Sequence, residues 1–470
     1  MNKSLLLTLV LVSVQISGSL ASSSADSVSI APFGKVYIYN PKGTPANVVI
    51  MLSGDEGWKY GVTGFAEEFS AMNNLVIGVN IVRYFKDLRQ RTGDCYHVAA
   101  DFVELATSVE KSYNIPEYKP AVIMGYSSGA TLVYGILAQA RPGTFAGGIS
   151  LGFCPDIELP KMLCETNGLT EKVDITGKSY FLEPDAKLGN HWIVLQGKLD
   201  KVCNYDEVAD FVRKTTNAEL ITLPATGHGF SKWSDFMPQW KEAFKRITEY
   251  TAIIQLPKGT EERVKNLPLL ITAAKTPNRD KPIALLISGD GGWYSFEQSI
   301  ADNLAGIGIP TIGLDSKKYF WKRKTPEQTA DDIAAALNFY SKEWGKDHFI
   351  LIGYSLGSEI VPFIVNRLTA EMKTKIISAV LLSPDITTDF EIHISNMLGM
   401  GNHQNTYNVI DEILRIQPVP TLIIHGNGEK TEVPDLLKDK GPALRKIPGD
   451  HHYKFDIPLI IKTMKEYKTF

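Results

Sequence analysis

Gly125-Tyr126-Ser127-Ser128-Gly129 follows the apolar strand Ala121 to Met124 and leads into a helical stretch, Ala130 to Gln139. Gly353-Tyr354-Ser355-Leu356-Gly357 does the same after Phe349 to Ile352, ahead of a helix over Ser358 to Leu368. Glycines two before and two after a serine suit a sharp strand-to-helix turn, where bulk would collide with neighbouring backbone. Alone, such a pentapeptide is a weak signal, but the strand before it and the helix after it are the context that gives it meaning.

A second pattern repeats with nearly the same displacement. Ser53-Gly54-Asp55-Glu56-Gly57-Trp58 recurs as Ser288-Gly289-Asp290-Gly291-Gly292-Trp293, so the two motifs are shifted by 235 positions (53 to 288) and 228 positions (127 to 355). Two unrelated patterns moved together indicate a duplicated domain. Continuous apolar runs such as Asn47 to Leu52 and Ile283 to Ile287 are bounded by turns and alternate with helical stretches. That is the signature of a mostly parallel sheet covered by helices on both faces. The expected fold is α/β: two tandem α/β-hydrolase domains, each a doubly wound, mostly parallel sheet. The expected division is a signal peptide over 1–21, domains over 27–254 and 267–470, and a linker over 255–266.

The 470 residues are 44% apolar and 21% charged with a formal charge of -3, the composition of a globular chain with no basic stripe for nucleic acid. Met1-Asn2-Lys3, an apolar run from Leu5 to Val14 and Ser19-Leu20-Ala21 read as a cleaved secretory signal. Cys95, Cys154, Cys164 and Cys203 all fall in the first copy, an even number that suits two disulfides in an exported protein. The expected pairs are Cys154 with Cys164 and Cys95 with Cys203. No CxxC or paired-histidine spacing argues for zinc, and no metal or cofactor is expected.

A serine nucleophile on this fold needs an acid and then a histidine on loops after later strands. In the first copy Asp200 follows the strand His191 to Gln196, and His228 follows Glu219 to Leu223. In the second, Glu429 stands three residues past Gly426 as Asp200 stands three past Gly197, and His451-His452 follows Leu444 to Ile447. Alignment on the following aromatic makes His451 the base; counting from Pro448 makes it His452. Backbone amides of Ser128 and Leu356 supply one half of an oxyanion hole, and the turns at Gly54-Asp55 and Gly289-Asp290 are placed for the other.

The set Ser288-Gly289-Asp290-Gly291-Gly292-Trp293, Tyr319-Phe320-Trp321, Thr325-Pro326-Glu327-Gln328-Thr329-Ala330-Asp331, Gly353 to Gly357, Ser383-Pro384-Asp385, Asp389-Phe390-Glu391-Ile392-His393 and Pro448-Gly449-Asp450-His451-His452 resembles the bacterial virulence protein family VirJ/AcvB. The resemblance is dense over the second copy, and the two-copy layout resembles the longer AcvB type. It implies a periplasmic serine esterase that hydrolyses the aminoacyl ester of lysyl- or alanyl-phosphatidylglycerol at the membrane surface, with Ser355, Glu429 and His451 as its triad. It also implies a link to a secretion system or another membrane-protein partner. Ser127, Asp200 and His228 then form a candidate second site, where an AcvB-like first half is expected to be degenerate. Asp290, Asp315, Asp331, Glu359 and Trp293 are candidate substrate contacts, and Tyr319-Phe320-Trp321 is either core or the rim of a lipid-facing entrance. The competing expectations are a non-catalytic binding protein on a hydrolase scaffold and a general carboxylesterase.

Overall fold

The computed structural model describes residues 25–140, 142–165, 168–173, 179–254, 262–276, 278, 280–393 and 407–470. The expected signal peptide lies outside the described residues, as does most of the expected linker.

Two large sheets carry the chain. In the first, the strands lie in the order Asp26–Ile30, Gly34–Tyr39, Asn74–Val79, Asn47–Leu52, Val122–Tyr126, Gly147–Leu151, Trp192–Gly197 and Ala218–Leu223. The first two strands are antiparallel to their neighbours and all the rest are parallel. The second sheet repeats this order without the outermost strand: Leu269–Thr272, Thr311–Leu314, Ile283–Ile287, Phe349–Tyr354, Ile376–Leu382, Thr421–Gly426 and Ala443–Ile447. Again only the first strand is antiparallel.

Side chains alternate along a strand, so a strand covered on both faces must be apolar at every position. Val48, Ile50 and Leu52 enter one core layer with the helix Ser128–Gln139, while Val49 and Met51 enter the opposite layer with Phe65 and Phe69 of Tyr60–Ala71. Ile283, Leu285 and Ile287 are divided from Ala284 and Leu286 in the same way. Doubly wound packing therefore follows directly from the unbroken apolar runs.

The duplicated tryptophans are packing devices. A Cβ on Gly78 would lie 2.2 Å from the ring of Trp58, and one on Gly313 would lie 2.4 Å from the ring of Trp293. Each indole thus fills the space above a strand glycine, and the expectation of a substrate contact at Trp293 is corrected: the ring is core.

The disulfides pair Cys95 with Cys164 and Cys154 with Cys203, which corrects the expected connectivity. The reason is adjacency in the sheet rather than along the chain. Tyr96 and Leu163 form a parallel bridge that brings their neighbours Cys95 and Cys164 to a Cα separation of 4.9 Å. Cys154 and Cys203 follow the paired strands Gly147–Leu151 and Trp192–Gly197.

Tyr319, Phe320 and Trp321 are all buried, so the lipid-facing alternative is not what they form. Trp321 is a joint between the halves. Its Nε1 donates to the Ile115 carbonyl at 2.8 Å, its ring tilts against Tyr118, and its carbonyl accepts from Lys111 Nζ. Truncating a buried tryptophan costs about 3–5 kcal/mol, so Trp321→Ala is expected to lower the denaturant midpoint markedly. An unchanged midpoint would show that the halves do not depend on this ring.

Candidate active sites

Ser127 has φ 55° and ψ -126°, and Ser355 has φ 50° and ψ -122°, conformations that non-glycine residues seldom adopt and that hold a side chain out from a tight turn. The flanking glycines are sterically required. A Cβ on Gly125 or Gly353 would come within 2.2 Å of the carbonyl oxygen of Gly129 or Gly357. Helices Ser128–Gln139 and Leu356–Arg367 begin at the next residue, so their first, unpaired backbone N–H groups open beside the serine hydroxyl.

The second glycine-rich turn sits against each serine. A Cβ on Gly54 would lie 3.2 Å from Ser127 Cβ, and one on Gly289 would lie 3.4 Å from Ser355 Cβ. Ser53 and Ser288 anchor these turns by accepting backbone N–H bonds from Ile81 (3.2 Å) and Ser316 (2.9 Å). Both sites therefore place two backbone segments beside the hydroxyl, the arrangement an oxyanion requires.

In the first half the remaining partners close completely. Ser127 Oγ lies 2.9 Å from His228 Nε2, and His228 Nδ1 lies 2.9 Å from Asp200 Oδ2. Asp200 is buried and accepts further bonds from the backbone N–H groups of Val202 and Cys203, both at 2.9 Å, and from Gln196 Nε2 at 3.0 Å. The Cys154–Cys203 disulfide ties the same loop to the end of a neighbouring strand.

In the second half, His451 Nδ1 is 3.1 Å from Glu429 Oε2, while Ser383 Oγ and the Gly426 N–H donate to Glu429 Oε1 at 2.7 and 2.5 Å. The imidazole facing the acid is thus that of His451. The His452 ring stacks on Phe455, and the His452 backbone N–H donates to Asp450 Oδ1 at 2.9 Å. Unlike the first half, Ser355 Oγ makes no hydrogen bond to the imidazole among the described residues, a bond that in free hydrolases often tightens only around substrate. Burial tends to raise Glu429, but bonds from His451, Ser383 and Gly426 outweigh it and hold the carboxylate below its ordinary range. Burial likewise tends to lower His451, and the bond and charge of Glu429, reinforced by Asp290 and Glu359, reverse this and leave it above the usual histidine value.

Ser355 opens into a cavity of about 100 Å³ whose wall carries Asp290, Glu359, Asp385, Asp389 and Glu391. Two of these acids are already matched by cations. Asp389 meets Arg323 at 3.1 Å, and Glu391 lies 3.9 Å from Arg323 and 3.7 Å from Lys111, which comes from the first half. Asp290, Glu359 and Asp385 make no ion pair among the described residues. Burial pushes the Glu359 carboxyl up to about 8, with the charges of Asp385 and Asp290 adding to the effect.

Of the proposed substrate contacts, Asp290 and Glu359 reach this cavity. Asp315 is buried behind the turn, where it caps the short helix Ser316–Tyr319 by accepting from the Lys318 N–H at 3.2 Å. Asp331 is an exposed residue of the helix Pro326–Trp344, 4.0 Å from Arg263. Helix capping and solvation account for both. The acids missed as substrate contacts, Asp385, Asp389 and Glu391, belong to the loop after Ile376–Leu382; their clustering over seven residues was the available signal.

A family model described as bacterial virulence protein (VirJ) matches residues 46–142 and 281–468, more than half of the chain. No curated protein sequence matches. Similar solved structures include Est1E from Butyrivibrio proteoclasticus with ferulic acid bound, at 17% identity and a TM-score of 0.33, covering 43% of this chain and 93% of that one. The esterase domain of a Rhodothermus marinus protein is 14% identical with a TM-score of 0.31, covering 45% and 92%. A lipase-esterase related protein from Clostridium acetobutylicum is 16% identical with a TM-score of 0.31, covering 42% and 99%.

Proposed function

The chain belongs to the bacterial virulence protein (VirJ) family, and on that footing we propose that its second half is a serine esterase that removes the aminoacyl group from aminoacyl-phosphatidylglycerol, lysyl-phosphatidylglycerol above all. The observation that carries this reading is the acidic cavity into which Ser355 opens. A lysyl ester presents an activated carbonyl and ammonium groups, and the unpaired acids Asp290, Glu359 and Asp385 suit such a cation.

In this mechanism His451 takes the proton of Ser355 Oγ as the oxygen attacks the ester carbonyl. The backbone N–H of Leu356 and one from the Gly289-Asp290 turn receive the oxyanion. Collapse expels the glycerol oxygen of phosphatidylglycerol, which takes the proton from His451, and leaves lysine esterified to Ser355. Water, deprotonated by the same imidazole, then releases lysine and restores the serine. Because His451 must be neutral to accept a proton, kcat/KM falls as pH drops through its raised pKa. The acid limb is therefore expected above about 6.5, the ordinary histidine value.

Export to the periplasm fits the secretory character of the first 21 residues and the two disulfides, which persist in oxidising compartments. No described helix is long and apolar enough to cross a membrane, so the reading has the enzyme meet the lipid headgroup at the surface.

The test is release of lysine from lysyl-phosphatidylglycerol vesicles by the purified chain, with phosphatidylglycerol as the other product. Failure to release lysine would remove the substrate assignment. At pH 9, where Glu359 is ionised, Glu359→Gln is expected to raise KM about tenfold or more, since a hydrogen bond to a charged group contributes about 1.5–3 kcal/mol. In the unmutated chain Glu359 ionises near pH 8, so KM should fall from pH 7 to 9 while the ε-ammonium stays charged; in Glu359→Gln this trend should be absent. An unchanged KM would place the ammonium elsewhere.

A further inference from the structure

We infer that the first half holds a second, independent ester-hydrolysing centre, Ser127-His228-Asp200, selective for uncharged acyl groups. The proton path is complete in the free protein, with Ser127 Oγ to His228 Nε2 and His228 Nδ1 to Asp200 each 2.9 Å. The strained serine, the helix starting at Ser128 and the adjoining Gly54 turn supply the other requirements. A half retained only as scaffold has no use for a left-handed serine aimed at a braced imidazole.

Selectivity follows from comparing equivalent positions. The N–H of Ser127 donates to the Leu151 carbonyl as that of Ser355 donates to Leu382, both at 2.9 Å. Gly152 and Ser383 come next, with φ of 63° and 53°, and the two-residue strands Asp156–Ile157 and Thr387–Thr388 follow at the same distance. On this register Asp385 becomes Cys154, held in a disulfide, and Glu391 becomes Pro160. Glu359, four residues past its serine, becomes Thr131, which is buried with its hydroxyl donated to the Cys154 carbonyl at 2.7 Å. Asp55 corresponds to Asp290, but it accepts from the Ser128 hydroxyl. Exposed acids remain at Asp156 and Glu158, where the second half has Thr387 and Asp389. The acid loop instead offers Leu199 and Val202, 60% and 69% exposed, on either side of Asp200. Position for position the first site keeps Asp55 and Glu158 of the five cavity carboxylates, adds the exposed Asp156 and has no counterpart of Glu359, Asp385 or Glu391, while Asp55 is already engaged by Ser128. Fewer free acids face an ammonium there, which favours neutral acyl chains over ammonium-bearing ones.

The reaction balances as simple ester hydrolysis. Ser127 Oγ adds to the carbonyl carbon while His228 takes its proton; the alkoxide leaves with that proton; water then cleaves the acyl-serine to a carboxylic acid and free Ser127.

The test uses the full chain with p-nitrophenyl butyrate and a fluorophosphonate probe. In the unmutated chain the probe is expected on the peptide containing Ser127, a result that needs no variant to fold. Ser127→Ala should lose the label on that peptide and lose butyrate hydrolysis at least about a hundredfold, whereas in Ser355→Ala the label on the Ser127 peptide should remain. An unlabelled Ser127 would overturn the inference, as would butyrate hydrolysis that disappears in Ser355→Ala and survives in Ser127→Ala. These readouts report on Ser127, so a failure of lysyl-ester hydrolysis at Ser355 leaves them interpretable.

Discussion

Ser355→Ala is expected to reduce lysine release from lysyl-phosphatidylglycerol by about ten-thousandfold to a millionfold, the range over which removal of a serine nucleophile acts when binding and oxyanion groups remain. The fold should survive. The Ser355 side chain makes no hydrogen bond among the described residues, and the turn is held by the Ser355 N–H to Leu382 and by Ser358 Oγ donating to the Ser355 carbonyl at 2.6 Å. A melting temperature close to that of the unmutated chain would confirm that only the hydroxyl was removed. Lysine release measured by amino-acid analysis is the readout. A rate within tenfold of the unmutated chain would move this chemistry away from Ser355.

The parts legible in the sequence were those fixed by local geometry. Asn47–Leu52 and Ile283–Ile287 form at the expected residues because a run apolar at every position has no stable place except between two helical layers. The serine turns were legible for a related reason: glycine is needed where the backbone of the next helical turn passes 2.2 Å from an added Cβ. Asp200 and His228 were found by order and by their place after strands, since parallel strands deliver successive loops to one edge of the sheet.

What could not be read depended on contacts between distant segments. Cys154 and Cys164 are close in sequence, yet the thiols meet partners 49 and 69 residues away because sheet order, not chain order, decides adjacency. Charge alone did not separate Glu359, at the cavity, from Asp331, on the solvated face of a helix. Trp321 was ambiguous because its partner is the other half of the chain, through Ile115, Tyr118 and Lys111. The same junction carries Lys111 to Glu391, so the first half supplies one of the cations that neutralise the wall of the second half's cavity.

The adjacent histidines give the second large effect. His451→Ala is expected to lower kcat on the lysyl ester by at least about a thousandfold, because loss of the general base is nearly as severe as loss of the nucleophile it serves. His452→Ala should stay within severalfold, since its ring stacks on Phe455 while Glu429 contacts His451. Glu429→Gln separates orientation from proton transfer. The amide can no longer supply the charge that holds His451 above its ordinary value, so activity should drop about a hundredfold or more and the acid limb should move to lower pH. The sign is fixed by the interaction: removing an anion beside an imidazolium destabilises the protonated form, so the remaining base is neutral at lower pH. If His452→Ala were the inactive variant and His451→Ala the active one, the loop after Ala443–Ile447 would have to turn by one residue on binding substrate, and Glu429 would be bracing the wrong ring.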